Sequence, residues 1–127
     1  MRFSLRLSRV GLAHTLPINY QYELSSWIYH VLYRGDSDFA TWLHDHGYQF
    51  EGKQFRFFCF SQLDVRPFER RGDRLLMQGR AAQLQLSFAL PDSGQRFLQG
   101  LFANQVFRLG DQHSQVDFQV ESLALLP

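Results

Sequence analysis

The sequence predicts an α+β domain whose antiparallel sheet is covered on one face by helices. Three observations carry that expectation. Apolar and polar residues alternate over Arg2–Arg9, Leu84–Leu90 and Val116–Val120, the period of half-buried strands. Apolar residues recur at helical spacing between Tyr22 and Tyr33, and again after Pro91. The elements then run strand, helix pair, strand, strand, helix, strand, and helices segregated over antiparallel strands make an α+β architecture. At 127 residues, 45% of them hydrophobic, the chain has material for one core rather than two.

Strand one spans Arg2–Arg9, with Phe3, Leu5 and Leu7 on one face and Arg2, Ser4, Arg6 and Ser8 on the other. After a loop with Gly11 and Pro17, helix one runs from Tyr22 to Tyr33 and carries Leu24, Trp27, Ile28, Val31 and Leu32 as its apolar stripe. Arg34-Gly35 ends it. Asp36 or Ser37 caps a short second helix with Phe39, Trp42 and Leu43 on its apolar side, closed by Gly47 as a left-handed cap. Strand two is expected at Gln54–Ser61, where phenylalanines at 55, 57, 58 and 60 imply cover on both faces. Arg71-Gly72-Asp73 forms a turn, and strand three follows over Leu75–Leu90, bent near Gly79. Pro91-Asp92-Ser93 opens a third helix whose stripe is Phe97, Leu98, Leu101 and Phe102. Val106–Leu109 and Gln115–Leu123 complete the sheet. This order is βαββαβ with an extra short helix after helix one, the ferredoxin-like pattern.

Composition removes several function classes. Charged residues are 20%, too balanced and too well mixed with apolar ones for a disordered chain. No apolar run approaches the ~20 residues that span a bilayer, and MRFSLRLSRV alternates where a secretory leader would be continuously apolar. No membrane partner is expected. Cys59 is alone, so a reducing cytoplasmic compartment is the simplest expectation. Net charge is only +1, but twelve of thirteen basic residues are arginine, the side chain whose planar fork suits phosphate. Arg66, Arg70, Arg71, Arg74 and Arg80 meet only Glu69 and Asp73; such a run is usually a solvated loop, and it is also the candidate phosphate-contacting stretch.

The expected open sheet face carries Arg2, Ser4, Arg6, Gln83, Gln85 and Ser87 instead of aromatics, which argues against base stacking on the sheet. His44 and His46 are two apart on a helix and do not face each other, so no metal site is expected. His30 and His46 read as surface residues. Phosphate-cradling glycine loops and the nucleophile elbow are missing, and the carboxylates are too scattered for a two-metal nuclease. No cofactor is expected.

The joined pattern LPINYQYELSSWIYHVLY…DFATWLHDHGY…FRFFCFS, continued by SGQRFLQGLF, resembles the CRISPR-associated endoribonucleases of Cas family six, within the RAMP superfamily. The resemblance implies metal-independent cleavage of CRISPR repeat RNA by its own 2′-OH. It matches Tyr29 to the family's catalytic tyrosine and His44 to its histidine; the family's lysine falls on Arg56, with Lys53 three residues earlier as the substitute. It equates residues 1–127 with one ferredoxin-like RAMP N-terminal domain and leaves a second RAMP domain, with its glycine-rich loop, absent from this chain. Enzymatic activity is then expected of the completed protein and left open for this domain by itself. The alternative is a non-catalytic RAMP module that binds repeat RNA, or docks on a Cas effector or an adjoining chain. Self-association into a homodimer through the aromatic strand is the remaining partner expectation.

Overall fold

A computed structural model describes residues 1–46, 48–50, 53–55 and 58–127; the side chains of 42–44, 46, 48–50, 53–55 and 91 fall outside that description. In chain order the elements are β1 (Arg2–Val10), β2 (Thr15–Pro17), α1 (Gln21–Gly35), α2 (Ser37–His46), β3 (Tyr48–Phe50), β4 (Lys53–Phe55), β5 (Phe58–Phe60), β6 (Phe68–Arg71), β7 (Arg74–Met77), β8 (Ala81–Phe88), α3 (Pro91–Ala103), β9 (Val106–Gly110) and β10 (Gln115–Leu126).

Five strands form an antiparallel sheet in the order β5-β8-β1-β10-β9. Without β9, that is the second, third, first and fourth strand of βαββαβ, the ferredoxin-like order. The alternation in β1 dictates the result. Phe3, Leu5 and Leu7 are each 1% exposed or less, while Arg2 and Arg6 stay in solvent. On β8, Ala82, Leu84, Leu86 and Phe88 are buried in register with them. Each such large side chain is worth roughly 1.5–3 kcal/mol when fully buried.

Helices α1 and α3 cover the buried face. They cross at two glycines: a Cβ on Gly100 would stand 1.8 Å from the Val31 carbonyl oxygen, and one on Gly35 would stand 2.1 Å from that of Arg96. Only glycine permits that approach. Aromatic rings run in series through the core: Phe107 stacks on Trp27 at 3.9 Å, Trp27 meets Phe97 edge to face at 6.0 Å, and Phe97 meets Phe88 at 5.3 Å. The series continues from Phe88 to Phe58 at 6.1 Å and from Phe58 to Tyr29 at 5.1 Å. Tyr29 is therefore seated on the core through Phe58.

The α1–α2 junction is held by Asp36. Its carboxylate accepts the Phe39 backbone N–H at 3.0 Å, starting α2, and the Arg96 guanidinium at 3.0 Å from α3. Arg96 also lies over the Phe39 ring at 4.1 Å. The Phe39 N–H first, and Arg96 after it, lower the Asp36 pKa from its ordinary value.

Several expectations are corrected. The described parts of the aromatic strand lie in different sheets: β4 pairs with β3 in a hairpin, whereas β5 pairs with β8 in the main sheet. Cys59 leaves one side of β5 exposed. Strand three divides at 78–80 into β7 and β8, which lie in different sheets. The arginine stretch is a β6–β7 hairpin joined to β2, with Gly72 at φ +58° in the expected turn. Phe102 is 74% exposed although Leu101 beside it is buried, because the buried row of α3 runs through Phe97 and Leu101 and Phe102 falls on its flank. Gly47, the expected cap, lies outside the described residues. Among the described residues no helix is long and apolar enough to cross a membrane.

Candidate active site between helices α1 and α2

One flank of α1, at positions 26, 29, 30 and 33, repeats every three to four residues beside the apolar stripe, so its side chains share a face. Ser26, Tyr29, His30 and Tyr33 on that flank border a groove of about 400 Å³. Across it stand Ala40, Thr41 and Asp45 of α2. Tyr29 is half-buried, with its ring edge on Phe58; Tyr33 is 58% exposed. The glycine crossing with α3 and the Asp36 junction set how α1 and α2 diverge, and so shape the groove.

Of the sequence-derived catalytic residues, Tyr29 is described and lines this groove. Position 44 belongs to α2, one turn beyond Ala40 and Thr41; its side chain lies outside the described residues. Position 53 opens β4, paired with Phe50 in the hairpin that follows α2, and its side chain is likewise outside them. Arg56 lies outside the described residues altogether. Two members of the expected convergence on one phosphate, the imidazole and the cation, thus lie outside the described residues. The sequence reads His30 as a surface residue, which it is, and does not single out Tyr33 or Asp45. The available signal was the polar flank of α1, which by itself looks like an ordinary solvated helix side.

The five arginines of the candidate phosphate-contacting stretch are spread over the β6–β7 hairpin and its ends. Arg66 grips Asp64 through two bonds of 2.9 and 2.8 Å, and these hold the Asp64 carboxyl at about 2. Arg70 donates to the Gly72 carbonyl at 3.1 Å, Arg71 pairs with Glu69 at 3.2 Å, and Arg80 donates to the Arg9 carbonyl at 3.2 Å. Arg74 is different. With its side chain 21% exposed, it bonds Asp111 at 2.8 Å and Ser114 at 2.9 Å, pinning the hairpin to the β9–β10 turn. The Ser114 backbone N–H, then Arg74 and His113, hold the Asp111 carboxyl at about 2. Among the described residues no group of three or more His, Cys, Asp or Glu is placed to hold a metal ion.

Solved structures share this fold. A solved structure described as a RAMP protein binding different RNA substrates aligns over the whole chain with TM-score 0.78 and 22% identity, covering 48% of that protein. A second, a Cas6-related protein from Pyrococcus furiosus, aligns with TM-score 0.80, again at 22% identity and 48% coverage. The chain belongs to the CRISPR-associated Cas6 family: the model of that family's N-terminal region matches residues 15–123. The CRISPR-associated endoribonuclease Cas6 1 of Methanocaldococcus jannaschii is 28% identical over 127 residues, which are 46% of its length. A solved CRISPR-associated protein Cas6 is 30% identical, with TM-score 0.67 and 48% of its chain covered. The chain thus spans about half the length of these relatives.

Proposed function

We propose that this chain is the catalytic N-terminal half of an endoribonuclease that cuts CRISPR repeat RNA without a metal, through attack of the RNA's own 2′-OH. The observation that supports this reading is the groove between α1 and α2, where Tyr29 stands on the core through Phe58 and α2 continues to position 44. Such a cleavage needs a group to take or orient the 2′-OH proton, an acid for the departing 5′-oxygen, and a cation for charge on the phosphorane. Tyr29 serves the first role. His44 serves the second, since an imidazole with a reference pKa of about 6.5 exchanges protons near neutrality. Lys53 or Arg56 serves the third. The oxygen that attacks stays on the ribose, so the products are a 2′,3′-cyclic phosphate and a 5′-hydroxyl. The β6–β7 arginines supply phosphate attraction, and a second RAMP domain completes the RNA grip.

Repeat RNA resolved on a gel, in EDTA, with wild type and His44→Ala, tests the proposal. Cleavage by wild type and its loss in the variant is the expected result. Salt-sensitive binding without cleavage by either protein would establish the non-catalytic RNA-binding module in its place.

A further inference from the structure

The groove has a property that cleavage chemistry does not use. Among its described lining residues, the one formal charge at neutral pH is the negative charge of Asp45. Beside Tyr29, the described lining offers ring surface and hydrogen-bonding groups. Tyr33 presents a 58% exposed ring at one end, Tyr29 stands one turn before it, and His30, Thr41 and Asp45 supply polar edges. A volume of about 400 Å³ is in the range of small-ligand sites and is too small for a duplex.

We propose that the α1–α2 groove is a nucleobase pocket, which takes one unstacked guanine of the RNA, stacked on Tyr33 and held at its Watson–Crick edge by Asp45. The inference rests on the reading above that this face receives RNA. Single-stranded bases are commonly bound by stacking on aromatic side chains, with hydrogen bonds to their edges giving the choice of base. Guanine is the base with two adjacent N–H donors, at N1 and N2, which match a carboxylate's paired acceptors. An ionised carboxylate has about four lone-pair sites, so a partner within the protein leaves acceptors for the base. The pocket would fix the nucleotide beside the reacting phosphate, and so decide which phosphodiester meets Tyr29.

Fluorescence anisotropy with labelled oligouridylate hexamers tests this, one internal position being guanine, inosine or abasic. Base stacking is worth roughly a five- to hundredfold change in affinity when the ring is removed. The guanine hexamer should bind at least about fivefold more tightly than the abasic one. Tyr33→Ala should erase that advantage, and Tyr33→Phe should keep it. Asp45→Asn should erase the preference for guanine over inosine, which lacks the N2 amine. Equal affinity for guanine and abasic hexamers, an unchanged advantage in Tyr33→Ala, an unchanged guanine-to-inosine ratio in Asp45→Asn, or no binding of any hexamer would each overturn the pocket. The readout needs no cleavage. Guanine preference without His44-dependent cutting would leave the pocket standing and remove the nuclease; His44-dependent cutting without guanine preference would do the reverse.

Discussion

The α1–α2 groove and the β6–β7 hairpin differ in nearly every physical property. The groove is walled by two helices, lined with tyrosines, and anchored through Phe58 to the aromatic core. The hairpin is exposed at all four positions of β6, which carries Arg70 and Arg71 in solvent. Through Arg74 it is tied to the β9–β10 turn, at the edge of the main sheet opposite β5. Fixed shape therefore lies in one region and positive charge in the other. Chemistry and selectivity need groups held to a fraction of an ångström, which packing provides; electrostatic attraction falls off slowly and tolerates mobile side chains. Under the proposed function, the contrast places rate in the groove and salt-dependent affinity in the hairpin.

The sharpest way to break that assignment is Tyr29→Phe, which removes one hydroxyl and keeps the ring on Phe58. The single-turnover rate should fall by roughly 10²-fold or more, a larger change than in affinity. A rate within a factor of two of wild type would take Tyr29 out of the chemistry. Next in size is Gly100→Ala. Its Cβ would meet the Val31 carbonyl, pushing α1 from α3 and distorting the groove. Overpacking of this kind costs about 1–3 kcal/mol, readable as a lower urea midpoint. Replacing Arg66, Arg70 and Arg71 together by alanine should act on binding. Each lost phosphate contact removes roughly 0.7 from the slope of log affinity against log salt for a single strand, so the triple variant should lose roughly 2. An unchanged slope would show that the hairpin touches no RNA.

The smallest effect concerns acid. Asp111 is held at about 2 in the folded chain, against an ordinary 3.8. Because the folded value is the lower one, its contribution to stability is fully present above the unfolded pKa and is lost as pH falls from about 4 through about 2. The melting temperature of Asp111→Asn should therefore fall less steeply than that of wild type between pH 4 and 2.

The main sheet and the two helices on it were legible because burial writes a period into sequence. Phe3, Leu5 and Leu7, or Leu24, Ile28 and Val31, are spaced as the faces they occupy. The β6–β7 hairpin was not, since Phe68–Arg71 is exposed throughout and leaves no alternation to read. The break in the expected Leu75–Leu90 strand was marked only by Gly79, and sequence does not say that the halves join different sheets. Phe102 fits the apolar spacing of α3 but lies on the flank of the buried Phe97–Leu101 row. Tyr29 was singled out by its family pattern and lies in the candidate groove; Tyr33, His30 and Asp45 were not singled out, because they line that groove only when α2 folds back beside α1.

The central claim is that RNA is cut by its own 2′-hydroxyl at this groove. Single-turnover cleavage in EDTA, with repeat RNA carrying one 2′-deoxynucleotide immediately 5′ of the scissile phosphate, tests it most directly. Complete loss of cutting at that phosphate, with the all-ribose RNA still cut, is the predicted result. Cutting of both substrates at the same rate would contradict the account, since the nucleophile would then have to come from elsewhere.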